Sequence, residues 1–278
     1  MIRPDLHLHS TASDGVYSPT VLVQHLQRAD ITCFSLTDHD TLSGLNEAEN
    51  AAYQRGIAFI PGVEISTEGE AEVHILGYGV KKDDAALLSF FEGIGKERIE
   101  RLRAMGEKLE KLGMPLNMEA IFASAGHSIG RPHLARAMAA CGYVKSVSEA
   151  FDRYLGDGKP AFVPRAKIEA SYAISLLKSR GAAPVLAHPA LIQWPIERFL
   201  PLLHTWMDAG LMGIEVYHPS ARGDYAKWDR LARKNGLLVT GGSDFHDQDP
   251  RHGQLGETVA NWHLACDDAW ALFRTVHQ

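Results

Sequence analysis

Asp5, His7 and His9 alternate with two leucines near the start of the chain, a spacing that could bind a metal ion. Side chains at every second position of a β-strand point to the same face, so a strand would place one carboxylate and two imidazoles together. Burying three such groups without partners costs free energy, so this face must be solvated, hydrogen-bonded or metal-bound. Imidazole and carboxylate are common ligands of zinc, manganese and iron. The pattern favours a metal site, although a solvated edge strand would also explain it.

Polar side chains of the same types recur where other apolar segments end. They are Asp14, His39, Glu64, His188, Glu215, Tyr217, His218, Asp244 and His246, and His74 lies within a further alternating segment. Each of them alone has a structural explanation, such as a turn, a helix cap, a solvated loop or a surface position. The segment 243–246 is harder to explain in this way, because the glycines before it allow close approach of the backbone to a ligand. Since β/α barrels build their active sites at the carboxyl ends of the strands, the joint distribution predicts a metal-dependent active site.

Short apolar segments alternate with amphipathic helical patterns, which predicts a parallel β/α architecture. The predicted strands cover residues 5–9, 32–36, 58–65, 73–78, 183–187, 213–216 and 237–240. One helix should begin after Ser18, with a proline in its first turn, and a second should run from 43 to 55 and end at Gly56. A third helix is expected from 164 to 180, closed by Gly181.

The strand pattern breaks between residues 96 and 163. A helical stripe of apolar side chains appears here, formed by Ile99, Leu102, Leu109 and Leu112. We therefore predict a barrel domain made of residues 1–95 and 164–278. Residues 96–163 would form a small helical insertion domain, which we expect to act as a lid over the barrel mouth and to contact the substrate.

Charge and cysteine content limit the class of protein. A net charge of −6 argues against a surface that binds duplex DNA, and no recognition-helix motif is present. No apolar run is long enough to span a bilayer, and the first residues do not resemble a signal peptide. Cys33, Cys141 and Cys266 are odd in number and widely spaced, which is typical of free thiols in a reducing compartment. We expect a cytoplasmic protein with no membrane partner and no obligate protein partner.

The ordered set of motifs closely resembles the PHP (polymerase and histidinol phosphatase) superfamily over nearly the whole chain. The motifs are D-x-H-x-H, S-D-G, T-D-H-D, P-G-V-E, H-I-L-G-Y, A-H-P, E-V-Y-H-P and G-S-D-F-H. The resemblance implies a distorted (β/α)₇ barrel that holds two or three divalent ions. It assigns three ligand sets, namely His7, His9, Glu64 and Asp244; then Glu64, bridging, with His74 and His188; and lastly Asp14, His39 and His246. With ligands enough elsewhere, Asp5 is expected to orient a histidine rather than to bind metal.

Within this superfamily the chain resembles the stand-alone bacterial phosphoesterases described as TrpH-like. These include 3′,5′-nucleoside-bisphosphate phosphatases and ribonucleases that trim RNA from its 5′ end. The resemblance implies hydrolysis of the 3′-phosphate of a small nucleotide such as pAp, and action on short 5′-phosphorylated RNA. Neighbouring divalent ions, with manganese expected and zinc or iron as alternatives, would share a water that attacks the phosphate. The expected catalytic residues are Asp14, His39, His218 and Asp244.

Other functions remain open at this point. A different phosphomonoester such as histidinol phosphate could be the substrate, but some other PHP branches carry a histidine in place of Asp14. Amidohydrolase-type hydrolysis of a C–N bond is disfavoured because such barrels typically carry a lysine ligand, and no predicted strand ends in lysine. A non-catalytic metal-binding or polymerase-accessory module usually lacks one or more ligands, whereas every expected position is filled here.

Five side chains are candidates for substrate contacts. Arg131 and His133 open a predicted helix, where an anion could meet a guanidinium and a helix N-terminus, although an ordinary helix start would look the same. Arg165 lies near the return from the insertion. Tyr217 could stack on a base or be buried, and His218 could bind phosphate or protonate the leaving oxygen.

Overall fold

Strands and helices alternate along most of the chain. The computed structural model describes residues 3–68, 72–124, 129–164, 168–248 and 253–257. The strands β1 to β7 cover Pro4–Asp5, Cys33–Leu36, Ala58–Glu68, Glu72–Tyr78, Ala183–Leu186, Gly213–Tyr217 and Leu238–Gly241. The helices α1 to α9 cover Pro19–Arg28, Leu45–Arg55, Ala85–Lys111, Met118–Ser124, Arg131–Ala140, Val147–Ala150, Ala170–Ser179, Ile196–Asp208 and Tyr225–Lys234. Among the described helices, none is both long and apolar enough to cross a membrane.

The strands form one nearly closed, barrel-like sheet in chain order. β1, β2 and β3 pair in parallel, and so do β5, β6 and β7. The two ends of the sheet meet where Leu6 N donates to Gly241 O at 3.2 Å, and where Leu8 bridges Phe245 in parallel. This is the distorted (β/α)₇ barrel that the sequence predicted.

Strand β4 departs from the predicted parallel arrangement. It pairs antiparallel with both neighbours, β3 and β5. Only residues 69–71 separate the ends of β3 and β4, whereas a parallel connection needs a crossover of about a dozen residues or more. The prediction of an all-parallel sheet was therefore wrong at this strand, because the connection is long enough only for a hairpin.

The first strand is shorter than predicted. Its regular pairing ends at Asp5, and beyond that point only Leu8 makes an isolated bridge. Asp5, His7 and His9 are buried, and the intervening leucines are buried as well. Burial of both faces is usual for a strand inside a β/α barrel, and it excludes the solvated edge strand considered above.

The predicted helix from 164 to 180 begins late, at Ala170. The main-chain oxygen of Ile168 accepts a hydrogen bond from Glu68 N at 2.9 Å. Glu169 is extended, with φ −69° and ψ 137°. The prediction was wrong for Ile168 and Glu169, because Ile168 pairs with the end of β3 instead of coiling into α7, and residues 165–167 lie outside the described residues.

The predicted signals at two helix ends are confirmed. The Ser18 side chain accepts a hydrogen bond from Val21 N at 3.4 Å at the start of α1. Gly56 ends α2 with φ 64°, a conformation that glycine adopts without the steric cost that a side chain would add.

The chain divides into two compact units, Met1–Ala85 with Lys167–Gln278, and Ala86–Ala166. The second unit has a core of its own, which includes Leu102, Met105, Leu109, Leu134 and Met138. Ile99 and Leu112, which we predicted to belong to its buried stripe, are 36% and 45% exposed. The unit begins before residue 96 because α3 is one continuous helix from Ala85 to Lys111. Its role as a lid remains a prediction.

Gly242 should be sensitive to any added side chain, because a Cβ at this position would collide with Cβ and N of His7. We expect Gly242→Ala to lower the free energy of unfolding by about 1–3 kcal/mol, the usual cost of overpacking. Gly93→Ala is the matched control. Gly93 lies in helix α3, and a Cβ at this position would meet nothing within 4 Å. Urea denaturation of both variants measures the difference, and equal stabilities would contradict the close approach.

Candidate metal centre

Four side chains from three parts of the barrel converge on one point. His7 and His9 follow β1, Glu64 lies on β3, and Asp244 follows β7. Glu64 Oε2 lies 3.1 Å from His7 Nε2 and 3.2 Å from His9 Nε2. Asp244 Oδ1 lies 3.2 Å and 3.1 Å from the same two nitrogens. The arrangement places two imidazole nitrogens between two carboxylate oxygens.

The contacts in this group are close but are not hydrogen bonds. His7 Nε2, both ring nitrogens of His9 and Glu64 Oε2 are buried, and none has a hydrogen-bond partner of acceptable geometry. Buried polar atoms are almost always hydrogen-bonded, so several orphans facing one another require another explanation. A cation bound among His7 Nε2, His9 Nε2 and Glu64 Oε2 would satisfy these three atoms at once, while His9 Nδ1 faces Asp14 Oδ1 at 3.9 Å. The residues therefore fit a divalent metal ion.

A second group shares His9 with the first. It consists of His9, Asp14, His39 and His246, whose potential ligand atoms all lie within 4.8 Å of one another. His246 Nε2 lies 3.3 Å from Asp14 Oδ1, and the rings of His9 and His246 are stacked with centroids 4.1 Å apart. The sequence assignment placed three of these residues on one ion and assigned His9 to another.

His39 joins this second group to a third, and Glu64 joins the first group to the third. The oxygens of Glu64 make the contacts. Its Oε2 lies 3.1 Å from His39 Nδ1, and its Oε1 lies 2.8 Å from His74 Nδ1 and 3.0 Å from His188 Nε2. The third group that could hold an ion is His39, Glu64 and His74, with His188 on the same carboxylate oxygen as His74. We call the whole set the histidine–carboxylate cluster. Its members are His7, His9, Asp14, His39, Glu64, His74, His188, Asp244 and His246.

Comparison with known proteins bears on what such a cluster does. Residues 5–156 match the family described as PHP domain. The chain belongs to the PHP domain family.

Two of its relatives are named as phosphoester hydrolases. A 5′-3′ exoribonuclease of Haemophilus influenzae is 36% identical to this chain, over 87% of the chain and 89% of the relative. A 3′,5′-nucleoside bisphosphate phosphatase of Chromobacterium violaceum is 34% identical, over 93% and 92%. The crystal structure of a proposed metal-dependent phosphoesterase from Bifidobacterium adolescentis superposes with a TM-score of 0.80 at 27% identity, over 93% of this chain and 94% of that one.

Glu215 supports the histidine–carboxylate cluster from within the barrel, a role that the sequence did not indicate. Its oxygens lie 3.0 Å and 3.2 Å from His7 Nδ1, and Oε2 accepts the main-chain N–H of His188 at 2.8 Å. Because a carboxylate can only accept, Nδ1 of His7 carries a proton, and Nε2 is the nitrogen left to bind a cation. The residue was visible as a buried carboxylate at a strand end, but nothing in the sequence showed which histidine it would meet.

We expect Glu215→Gln to weaken metal binding by about 10–100-fold, the usual effect of losing the partner of a ligating histidine. A glutamine still fits the space, but its amide can offer either a donor or an acceptor to His7. Titration with Mn²⁺ by calorimetry measures the affinity. Glu197→Gln, on the first turn of α8, controls for the loss of a carboxylate, and equal affinities in the two variants would contradict this role.

Asp38 is a second support that the sequence did not single out. It is buried, and it accepts hydrogen bonds from Ser10 N at 2.7 Å, Ser10 Oγ at 2.7 Å and Ser13 Oγ at 2.6 Å. These bonds fix the loop that carries Asp14. The T-D-H-D motif thus supplies one candidate ligand, His39, and one residue that positions another loop.

Asp5 was predicted to orient a histidine ring, but among the described residues it makes no hydrogen bond to an imidazole. Its Oδ1 instead accepts the main-chain N–H of Ser243 at 2.8 Å, next to Asp244. Burial raises its pKa to about 6, against the lowering effect of that hydrogen bond. Glu215, not Asp5, is the carboxylate outside the cluster that contacts the ring of His7. It lies on β6, beside β7, and its side chain points towards that histidine.

The charged groups of the cluster strongly shift each other's pKa. Burial would raise the pKa of Glu64, but the adjacent His39, His7 and His74 hold it well below its ordinary value. Burial would lower the pKa of His246, but Asp14 and Asp244 raise it to about 10. The carboxylates are therefore ionised at neutral pH, and a cation must displace a proton to bind His246. Metal affinity at this residue should fall as the pH falls.

The residues predicted to contact the substrate belong to both units of the chain. Arg131 and His133 open α5 in the second unit, where Arg131 pairs with Asp157 at 3.0 Å and His133 Nδ1 accepts from Gly130 N at 3.2 Å. Arg165 lies outside the described residues. Tyr217 is buried. His218 does meet the cluster, with Nε2 3.3 Å from Asp244 Oδ2.

Proposed function

We propose that this PHP protein hydrolyses the 3′-phosphate of nucleoside 3′,5′-bisphosphates such as pAp, and shortens 5′-phosphorylated RNA from its 5′ end. The observation that supports it best is the convergence of buried atoms without hydrogen bonds at His7, His9 and Glu64, with Asp244 Oδ1 3.2 Å and 3.1 Å from the two imidazoles. The relatives' names concern nucleotide and RNA phosphoesters. The two reactions are chemically the same, because each breaks the bond between phosphorus and the 3′ oxygen of the first nucleotide.

We propose two or three divalent ions as cofactors, held by the histidine–carboxylate cluster. Bound there, they would neutralise phosphate charge and activate a water molecule at neutral pH. Nitrogen and oxygen ligands without a thiolate suit manganese, zinc or iron, and we favour manganese. Asp14, His39 and Asp244 would then be catalytic as ligands next to the reacting phosphate.

His218 is the proposed proton donor to the leaving 3′ oxygen. Its Nδ1 accepts a hydrogen bond from Ser220 N at 3.1 Å, so in the neutral ring the proton lies on Nε2. That nitrogen faces Asp244, at the edge of the cluster. When the ring is protonated on both nitrogens, it could deliver the Nε2 proton from the side of the proposed metal site, while Ser220 Oγ, 2.7 Å from Nδ1, would accept the Nδ1 proton.

A substrate panel tests the proposal. Phosphate or nucleotide release should be compared, with Mn²⁺ present, for pAp, 5′-phosphorylated di- to pentanucleotides, AMP and histidinol phosphate. We expect pAp and the oligonucleotides to be turned over, and AMP to be a product rather than a substrate. Preferential release from AMP or histidinol phosphate would overturn the assignment.

We place the protein in the cytoplasm, because Cys33 and Cys141 are both free thiols. Its proposed partners are nucleotides and RNA 5′ ends rather than duplex DNA, in keeping with the net charge of −6.

A further inference from the structure

An aromatic–arginine platform lies on the loop that leads from β5 to α8 and on the first turn of α8. Trp194 is half-buried, and the guanidinium carbon of Arg198 lies 3.8 Å from the centre of the indole ring. Leu191, in the same loop, is 57% exposed. We call these three residues the β5–α8 platform. None of them belongs to the histidine–carboxylate cluster.

The platform begins beside two residues of the site. Leu191 N donates to the main-chain oxygen of His188 at 3.0 Å, so a single tight turn separates the exposed leucine from the cluster. That turn, Pro189–Leu191, packs against the turn Pro219–Ala221, which directly follows His218. The loop carrying the platform therefore starts at the rim of the barrel where the site opens.

We propose that the β5–α8 platform binds single-stranded RNA on the 3′ side of the cleaved phosphate, with a base stacked on the Arg198 guanidinium, which covers one face of the Trp194 ring. A guanidinium plane can stack on any base and can also bind a backbone phosphate, and the indole beneath it would hold it in place. Such a surface tolerates any sequence, which suits an enzyme that removes nucleotides one after another. The proposal rests on the proposed function. It predicts that the platform contributes to the binding of RNA but not of pAp, because pAp has no nucleotide beyond its 3′-phosphate.

The spacing of the residues also permits a purely structural role for Trp194. It directly precedes Pro195, the residue that caps α8, and Phe199 lies four residues after that proline. Apolar residues at these two positions often pack together and fix the start of a helix. Trp194→Leu preserves an apolar side chain for that contact and removes the aromatic face, so this variant separates the two roles.

The test measures binding and turnover in the metal-loaded full-length protein. The binding probe is a 5′-phosphorylated decanucleotide with a 3′ fluorophore and phosphorothioate linkages, read by fluorescence anisotropy. Trp194→Leu and Arg198→Ala should each raise its Kd by about tenfold, within the range observed for loss of one stacked base. The KM for pAp should stay within about twofold of wild type. Tyr53→Leu, at an exposed aromatic on α2, is the matched control and should change neither value.

The outcomes are separable. An equal rise in the KM for pAp would overturn the proposal and assign the platform to the first nucleotide. An unchanged Kd for the decanucleotide in a folded Trp194→Leu variant would also overturn it and leave the helix-capping role. The anisotropy measurement needs no turnover, so it decides the platform even if the substrate panel shows that the proposed function is wrong.

Discussion

Glu64→Gln should lower kcat for pAp by at least about 10³-fold, since bound metal contributes several kcal/mol and each factor of ten corresponds to about 1.36 kcal/mol. The side chain is fully buried and its two oxygens contact five imidazoles, those of His7, His9, His39, His74 and His188. Glutamine has the same shape but offers one neutral acceptor and an amide donor. The substitution removes a negative charge that belongs to two of the three ligand groups and lies next to His39 in the remaining one.

Thermal unfolding with and without Mn²⁺ shows whether this loss acts through the metal. A ligand at 100 times its Kd stabilises a folded protein by about 2.7 kcal/mol per site, so wild type should gain a clear increase in Tm. Glu64→Gln should lose most of that increase while remaining folded. Glu92→Gln, at an exposed carboxylate on α3, is the control and should behave as wild type. Full activity of Glu64→Gln at saturating Mn²⁺ would contradict the cluster as the metal site.

His218→Gln should lower kcat for pAp by about 10²–10⁴-fold, the usual contribution of a general acid. The 3′ oxygen of a ribose is a poor leaving group and needs a proton as the ester bond breaks. In p-nitrophenyl phosphate the leaving phenolate is already stable, so the same variant should lose far less activity on that substrate. The difference between the two substrates therefore reports the proton specifically.

The effect of Mn²⁺ on Tm should be retained in His218→Gln, because this residue lies outside the three ligand groups. His204→Gln, an exposed histidine on α8, controls for general effects of the substitution. Equal losses on pAp and p-nitrophenyl phosphate would mean that His218 binds the transferred phosphate rather than protonating the leaving oxygen.

The candidate metal ligands were recognisable in the sequence because they interrupt apolar strands with charged or imidazole side chains. His7, His9, Glu64 and Asp244 all sit where such a segment ends, and the structure brings each of the two imidazoles within 3.2 Å of both carboxylates. The clustering follows from topology, since parallel strands of one barrel end at the same rim.

The antiparallel β4 was recoverable in principle. The connection between the predicted segments 58–65 and 73–78 is too short for a crossover, so hairpin geometry was already implied. The late start of α7 was not recoverable in the same way. Its cause is a hydrogen bond between Glu68 and Ile168, which lie 100 positions apart (168 − 68), and local helix propensity carries no information about such a contact.

By itself, the sequence determined the order of the strands, the residue types at their ends, and hence a metal-dependent site on a β/α barrel. Only the tertiary structure decided which of those residues meet. In the structure, His7 contacts Glu215 rather than Asp5, and Asp38 holds the loop that carries Asp14. The three ligand groups share His9, His39 and Glu64. The physical reason is that each of these pairings depends on barrel curvature and strand register, which bring together side chains far apart in the chain.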